Sequence, residues 1–157
     1  MSLDTKGRFL LVANYGGGSV ASLPVRPDGS LAEAVSIIQH AGSSVNPKRQ
    51  AGPHAHFIAM DPANRFALAC DLGLDKLLVY RLDAKNGELI PNDPPFAVVA
   101  PGAGPRQLAF SRDAKFVFVL NELSSSLTTF AYVARRGMLT ELQTLSTLPG
   151  EFAGNNS

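Results

Sequence analysis

One phrase occurs three times along this chain. Gly7-Arg8-Phe9-Leu10-Leu11-Val12-Ala13-Asn14, Asn64-Arg65-Phe66-Ala67-Leu68-Ala69-Cys70-Asp71 and Ala114-Lys115-Phe116-Val117-Phe118-Val119-Leu120-Asn121 align without a gap. The agreement continues downstream: Val20, Leu77 and Leu127 each fall 11 residues after the aligned phenylalanine, and Leu23, Tyr80 and Phe130 each fall 14 after it. Gly29-Ser30-Leu31, Gly87-Glu88-Leu89 and Gly137-Met138-Leu139 then repeat a turn followed by an apolar residue. The period, from Phe9 to Phe66 to Phe116, is 57 and then 50 residues, in the range that marks solenoids, propellers and arrays.

The second copy shows what the unit is made of. Apolar runs at residues 56–60, 66–71, 77–82 and 96–100 are separated by turn chemistry, Asp61-Pro62-Ala63-Asn64 and Asp83-Ala84-Lys85-Asn86-Gly87 among it. Runs of five to seven residues rich in Phe, Val and Leu suit strands, and helical spacing is hard to sustain over so short a length. Four antiparallel strands recurring about every 50 residues describe a propeller blade better than a solenoid turn, because solenoid repeats are mostly shorter and many are helical. The expected fold is therefore all-β, a β-propeller fragment of about three four-stranded blades at approximately residues 1–55, 56–105 and 106–157. Three blades do not close a ring. The chain is expected to open inside a strand-to-strand turn of a unit whose first strand is absent, and to stop at Asn155-Asn156-Ser157, where another first strand should begin.

Composition narrows the function. A 157-residue chain that is 45% apolar is enough for one ordinary domain, and a net charge of +1 without a long basic run gives no reason to expect nucleic acid or an acidic membrane as partner. The longest apolar stretches, such as residues 9–13 and 116–120, are five residues long and too short for a membrane span or a signal-peptide core, which reads as a soluble cytoplasmic chain. Cys70 is the only cysteine, and its apolar strand points to a buried inert thiol.

Polar residues collect at one end of the repeat. In an antiparallel hairpin of strands at residues 106–110 and 116–122, with its turn at residues 111–115, Arg106 and Glu122 should meet at the same end of the sheet. The repeat places His56 where Arg106 stands, and Asn14, Asp71 and Asn121 at one shared position, so these residues would ring the mouth of a channel lined by first strands. Strand ends also meet solvent, and Asp or Asn there often caps the next turn, so Asn14, Asp71 and Asn121 are as readily structural. Arg106 and Glu122 could equally form an inter-blade salt bridge. His54 and His56 stand two apart, a metal-ligand spacing, yet no third ligand accompanies them and no metal or cofactor is assigned. The polar loop of residues 41–53 carries Lys48, Arg49 and Gln50, cations suited to a phosphate or carboxylate or simply to solvent.

These stretches carry a family resemblance. Ala13-Asn14-Tyr15-Gly16-Gly17-Gly18-Ser19-Val20, Arg49-Gln50-Ala51-Gly52-Pro53-His54-Ala55-His56, Asp71-Leu72-Gly73-Leu74-Asp75, Gly104-Pro105-Arg106 and Asn121-Glu122-Leu123-Ser124-Ser125 resemble the lactonase family of seven-bladed propellers, over nearly all of the chain. That family includes propeller-type 6-phosphogluconolactonases and the fungal carboxy-muconate cyclase. The resemblance implies a whole protein about twice this length, with this piece as roughly its second through fourth blades, and carries the family's His, Arg and Glu positions to His54 or His56, Arg106 and Glu122. It implies hydrolysis of a sugar lactone, 6-phospho-D-glucono-1,5-lactone first, in the pentose phosphate pathway. Glu122 would be the base for water, Arg106 and a histidine the oxyanion donors or the acid, and Lys48 or Arg49 the phosphate partners. Asn14, Asp71 and Asn121 complete the candidate binding residues. A muconate-type cyclase is the alternative on the same site, and a protein-binding platform the alternative on the same fold.

Overall fold

The computed structural model describes residues 1–152, and among them there is no helix. Twelve strands follow in chain order: β1 (Ser2–Leu3), β2 (Phe9–Asn14), β3 (Ser19–Pro24), β4 (Ser36–Gln39), β5 (Ala55–Met60), β6 (Phe66–Asp71), β7 (Lys76–Leu82), β8 (Leu89–Val98), β9 (Pro105–Phe110), β10 (Phe116–Asn121), β11 (Ser126–Val133) and β12 (Met138–Ser146). They form three four-stranded sheets, β1-β2-β3-β4, β5-β6-β7-β8 and β9-β10-β11-β12, in which every pairing is antiparallel and sequential. These are three propeller blades. The second lies between the other two: β5 packs on β1 and β2, and β9 on β5 and β6.

The repeated phrase works as a cap followed by a core strand. Before the phenylalanine of each copy, one side chain accepts the backbone N–H groups that the tight turn would otherwise leave unpaired. Asp4 Oδ1 takes Arg8 N and Phe9 N at 2.5 and 2.9 Å, Asp61 Oδ1 takes Arg65 N and Phe66 N at 2.7 and 3.0 Å, and Ser111 Oγ takes Lys115 N and Phe116 N at 3.1 and 3.0 Å. Gly7, Asn64 and Ala114, at one repeat position, all have left-handed backbone with φ of 66, 56 and 55°. The same holds one turn later for Gly18, Asp75 and Ser125, at 61, 54 and 46°.

Blades join through the faces that these phrases present. Phe66, Leu68 and Cys70 of β6, with Leu77 and Val79 of β7, pack against Leu108, Val117, Val119 and Phe130 of the third sheet. Phe9 and Leu11 of β2 meet Ile58, Met60, Ala67 and Leu82 of the second in the same way. The turn glycines ahead of β8 and β12 are tied to this packing: a Cβ on Gly87 would stand 2.3 Å from the ring of Phe9, and one on Gly137 2.6 Å from the ring of Phe66. Phe116, the third of these phenylalanines, is exposed. Polar contacts reinforce the joints, with Asn64 bonded to Asp4 at 3.0 Å and Tyr132 donating to Asp61 at 3.2 Å.

Three expectations are corrected. The first unit does possess its first strand, reduced to Ser2 and Leu3 paired with Leu11 and Leu10. The outer strand of the second blade runs from Leu89, well before residue 96, because an outer strand faces solvent and hides its ladder behind polar residues such as Asn92 and Asp93. Glu122 lies just beyond β10, in the turn. The expected stop at residues 155–157 lies outside the described residues.

Candidate active site

A structural irregularity repeated in two blades points the key side chains. In β5, Ala55 pairs with Asp71 and Phe57 with Cys70, so His56 is the unpaired extra residue of a β-bulge. In β9, Pro105 pairs with Asn121 and Gln107 with Leu120, so Arg106 is the extra residue of the same bulge. A bulge turns its residue out of the alternation that would otherwise send it to the neighbouring sheet. It also brings His56 and Arg106 to the strand end where the β10–β11 turn presents Glu122.

Glu122 is the centre of the cluster. Its Oε1 accepts Arg49 Nη2 at 2.5 Å, its Oε2 accepts Arg106 Nη1, and His56 Nε2 stands 3.8 Å from Oε2, beyond hydrogen-bond range. The Glu122 side chain is 13% exposed, against 39% for Arg49 and 45% for Arg106, so the carboxylate is recessed and the guanidiniums face outward. Partial burial works against ionisation of Glu122, but the hydrogen bonds from Arg49 and Arg106 outweigh it and hold the carboxyl below its ordinary value of 4.5. Burial and the positive charge of Arg106 push His56 below 6.5, which favours the neutral imidazole near pH 7.

Tyr15 belongs to the same cluster and is missed by the sequence reading. Its ring stacks on His54 with centroids 4.6 Å apart and planes at 16°, and meets His56 edge-on at 5.2 Å and 77°. Its hydroxyl faces the Arg49 guanidinium, and its carbonyl oxygen lies 3.1 Å from His54 Nδ1. The signal was in the repeat: Tyr15, Leu72 and Glu122 are one position, the first residue after each second strand.

The loop between β4 and β5 is held by buried polar side chains. Gln50, fully buried, donates to Leu72 O at 2.8 Å and accepts Asn46 N at 3.1 Å, which sets the position of its neighbour Arg49. Asp75 accepts Ser44 Oγ from this loop at 2.5 Å, and Gly102 N and Gly104 N from the approach to β9, each at 2.7 Å. It thereby ties the segment carrying Arg49 to the one carrying Arg106.

Of the candidates, His54, His56, Arg49, Arg106 and Glu122 are brought together. Asn14 is exposed beside them and bonded to Ser19 Oγ at 3.2 Å. Lys48 is exposed, and its ammonium enters no ion pair among the described residues. Asp71 and Asn121 are not brought to the surface, and as arranged they cannot touch a ligand. Asp71 accepts His54 N and Gly73 N at 2.8 and 3.0 Å and His40 Nδ1 at 2.6 Å, while Tyr80 donates to His40 Nε2 at 2.9 Å. Asn121 donates to Ser126 and Thr128 at 3.0 and 2.8 Å. Among the described residues no group of three or more His, Cys, Asp and Glu side chains could hold a metal ion, and no helix is long and apolar enough to cross a membrane.

Comparison with known proteins identifies the family. Residues 1–157 match the profile of the lactonase family, described as a 7-bladed beta-propeller. The chain is 38% identical over 156 residues to 6-phosphogluconolactonase of Bacillus subtilis, covering 99% of this chain and 43% of that protein. It is 32% identical to 6-phosphogluconolactonase of Serratia proteamaculans over 154 residues, 98% of this chain and 43% of that one. Among solved structures, the periplasmic gluconolactonase of Pseudomonas aeruginosa superimposes with a TM-score of 0.90 at 43% identity, covering 98% of this chain and 43% of that protein. The chain thus spans less than half the length of these relatives.

Proposed function

The chain belongs to the lactonase family of seven-bladed β-propellers, and on that footing we propose that the protein carrying it hydrolyses 6-phospho-D-glucono-1,5-lactone to 6-phosphogluconate. The observation that carries the reading is the Arg49–Glu122–Arg106 cluster with His56 beside it, at the position where the family resemblance expects the site. The names of two relatives supply the substrate. A cytoplasmic place in the pentose phosphate pathway is part of the same proposal, since a phosphorylated sugar does not cross a membrane unaided.

Opening a lactone requires a base for water and donors for the oxyanion that forms on the carbonyl oxygen. We assign water activation to His56 rather than to Glu122. A carboxylate shared by two guanidiniums is a weakened base, while His56 is held neutral next to it. Arg106, the more exposed guanidinium, turns its remaining N–H groups toward the oxyanion. Glu122 orients both arginines and keeps their charges from repelling each other.

One observation favours a second reading on the same chemistry. Arg49 is engaged with Glu122 and Tyr15, so of the two loop cations only Lys48 is left for a phosphate. Together with the likeness to a periplasmic gluconolactonase, this supports unphosphorylated glucono-1,5-lactone as substrate. The test is hydrolysis of both lactones by the complete protein, beside Arg106→Ala and His56→Gln. Removing an oxyanion donor should lower kcat by about 10²–10³-fold. Preference for the phosphorylated lactone, lost in Lys48→Ala, supports the first reading, and indifference to phosphate supports the second. Wild-type kinetics in both Arg106→Ala and His56→Gln would refute the site.

A further inference from the structure

The scheme above, on which this inference rests, calls for a donor at the ring oxygen. When the C1–O bond of the ring breaks, the electron pair goes to the ring oxygen, and protonating that oxygen as it departs speeds the step. The groups of the cluster can be taken in turn. Arg49 and Arg106 are too weakly acidic. Glu122 is ionised and accepts only. His56 is the base.

His54 is excluded by its hydrogen bond. Its Nδ1 lies 3.1 Å from the carbonyl oxygen of Tyr15, which can only accept, so the Nδ1 proton is committed to that bond.

Tyr15 remains. We propose that Tyr15 is a catalytic residue, its phenol hydroxyl protonating the ring oxygen of the lactone as the C1–O bond breaks. Three observations support it. The ring is clamped between His54, stacked at 4.6 Å, and His56, edge-on at 5.2 Å, so it is fixed against the base. The Arg49 guanidinium faces that hydroxyl, so a positive charge stands opposite the phenolate that proton transfer leaves behind. Tyr15 is 39% exposed at the open side of the cluster, unlike its repeat counterpart Leu72, which is fully buried.

The step balances. Water gives a proton to His56 and its oxygen bonds to C1. The C1–O ring bond then breaks, and the ring oxygen takes the Tyr15 proton. The phenolate, neutralised by Arg49, recovers a proton from the His56 imidazolium through solvent. One water is consumed.

The experiment separates acid assistance from packing. Tyr15→Phe keeps the ring and both ring contacts and removes only the O–H. In the complete protein, it should lower kcat on glucono-1,5-lactone or its 6-phosphate by about 10²-fold or more. On the analogue with sulfur in the ring, whose thiolate leaves with little help because a thiol ionises near 8.5, the loss should be at most a few-fold. Equal losses on both substrates would assign Tyr15 to packing and overturn the proposal, as would an unchanged kcat on the oxygen lactone. A wild type that opens the lactone but fails on the thiolactone overturns it too, because bond breaking is then not limited by a missing proton. A wild type inactive on every lactone overturns the hydrolase reading, and this inference falls with it; activity with an indifferent Tyr15→Phe overturns the inference alone.

Discussion

Asp75 offers a perturbation whose size can be worked out in advance. Its carboxylate is almost fully buried and accepts three hydrogen bonds, from Ser44 Oγ, Gly102 N and Gly104 N, at 2.5, 2.7 and 2.7 Å. Its backbone is left-handed, with φ of 54°, a conformation asparagine also tolerates, so Asp75→Asn changes the carboxylate without adding backbone strain. The amide oxygen can keep the Ser44 and Gly102 bonds, which share one carboxylate oxygen, and the N–H₂ group is then turned toward Gly104 N. Losing that one bond to a carboxylate costs about 1.5–3 kcal/mol. That cost should be local. Gly104 O accepts Glu122 N at 2.8 Å, and Ser44 N donates to Gln50 O at 3.0 Å, so the loosened segments are those that place Glu122, Arg106 and Arg49. At about 1.4 kcal/mol per tenfold, amide exchange protection of Gly102 and Gly104 should fall on the order of 10–10²-fold, while the β6–β7 ladder stays protected. Lactone turnover should fall in parallel. Unchanged protection at Gly102 and Gly104, or a uniform loss through all three sheets, would show that Asp75 does not hold the site together.

Three shorter predictions address the base, the packing and the thiol. If neutral His56 is the base, kcat/KM is constant at high pH and falls as pH drops through its value, below 6.5; Arg106→Gln removes a cation that favours the neutral ring, so the acid limb should move to higher pH. A limb below 4.5 in the pH profile would return the role to Glu122. Gly73→Ala would put a Cβ 1.9 Å from Gly52 O and 2.9 Å from His54 N, forcing backbone apart by about 1 Å or more, at roughly 1–3 kcal/mol and with a loss of activity that a thermal melt and an assay would register. Neutrality in both would refute the close approach. Cys70 is fully buried and its thiol is pushed far up by burial, so a maleimide should label it only after denaturation.

The architecture was legible because two physical signals coincide in each copy. A strand that must be apolar follows directly on a turn that must be capped, and this pairing repeats with the blade. What the repeat could not show was register at the strand ends. A bulge adds one residue without changing composition, so nothing in His54-Ala55-His56 or Gly104-Pro105-Arg106 marks His56 and Arg106 as its extra residues. The expected meeting of Arg106 and Glu122 needed only antiparallel geometry. Arg49 needed more, since it comes from a connection between blades whose path depends on the buried Gln50. Asp71 and Asn121 share a repeat position with exposed Asn14, yet they turn inward, because the neighbouring blade supplies His40 to one and the sheet's own Ser126 and Thr128 to the other.

The three copies of the blade therefore divide their repeat positions between two tasks. Cap positions keep their chemistry from blade to blade: Asp4, Asp61 and Ser111 each accept the same pair of backbone amides, because the turn geometry leaves the same donors unpaired every time. The first turn residue after the second strand carries no such obligation. It is Tyr15 in the first blade, Leu72 in the second and Glu122 in the third, and only the middle one is used for packing. Likewise the bulge residue is His56 in one blade and Arg106 in the next. A bulge spends no ladder hydrogen bond on its extra residue, so the side chain there can change from imidazole to guanidinium without disturbing the sheet. Functional variety at these two positions costs the fold little, which is how near-identical blades bring an aromatic hydroxyl, an imidazole, a guanidinium and a carboxylate to one place.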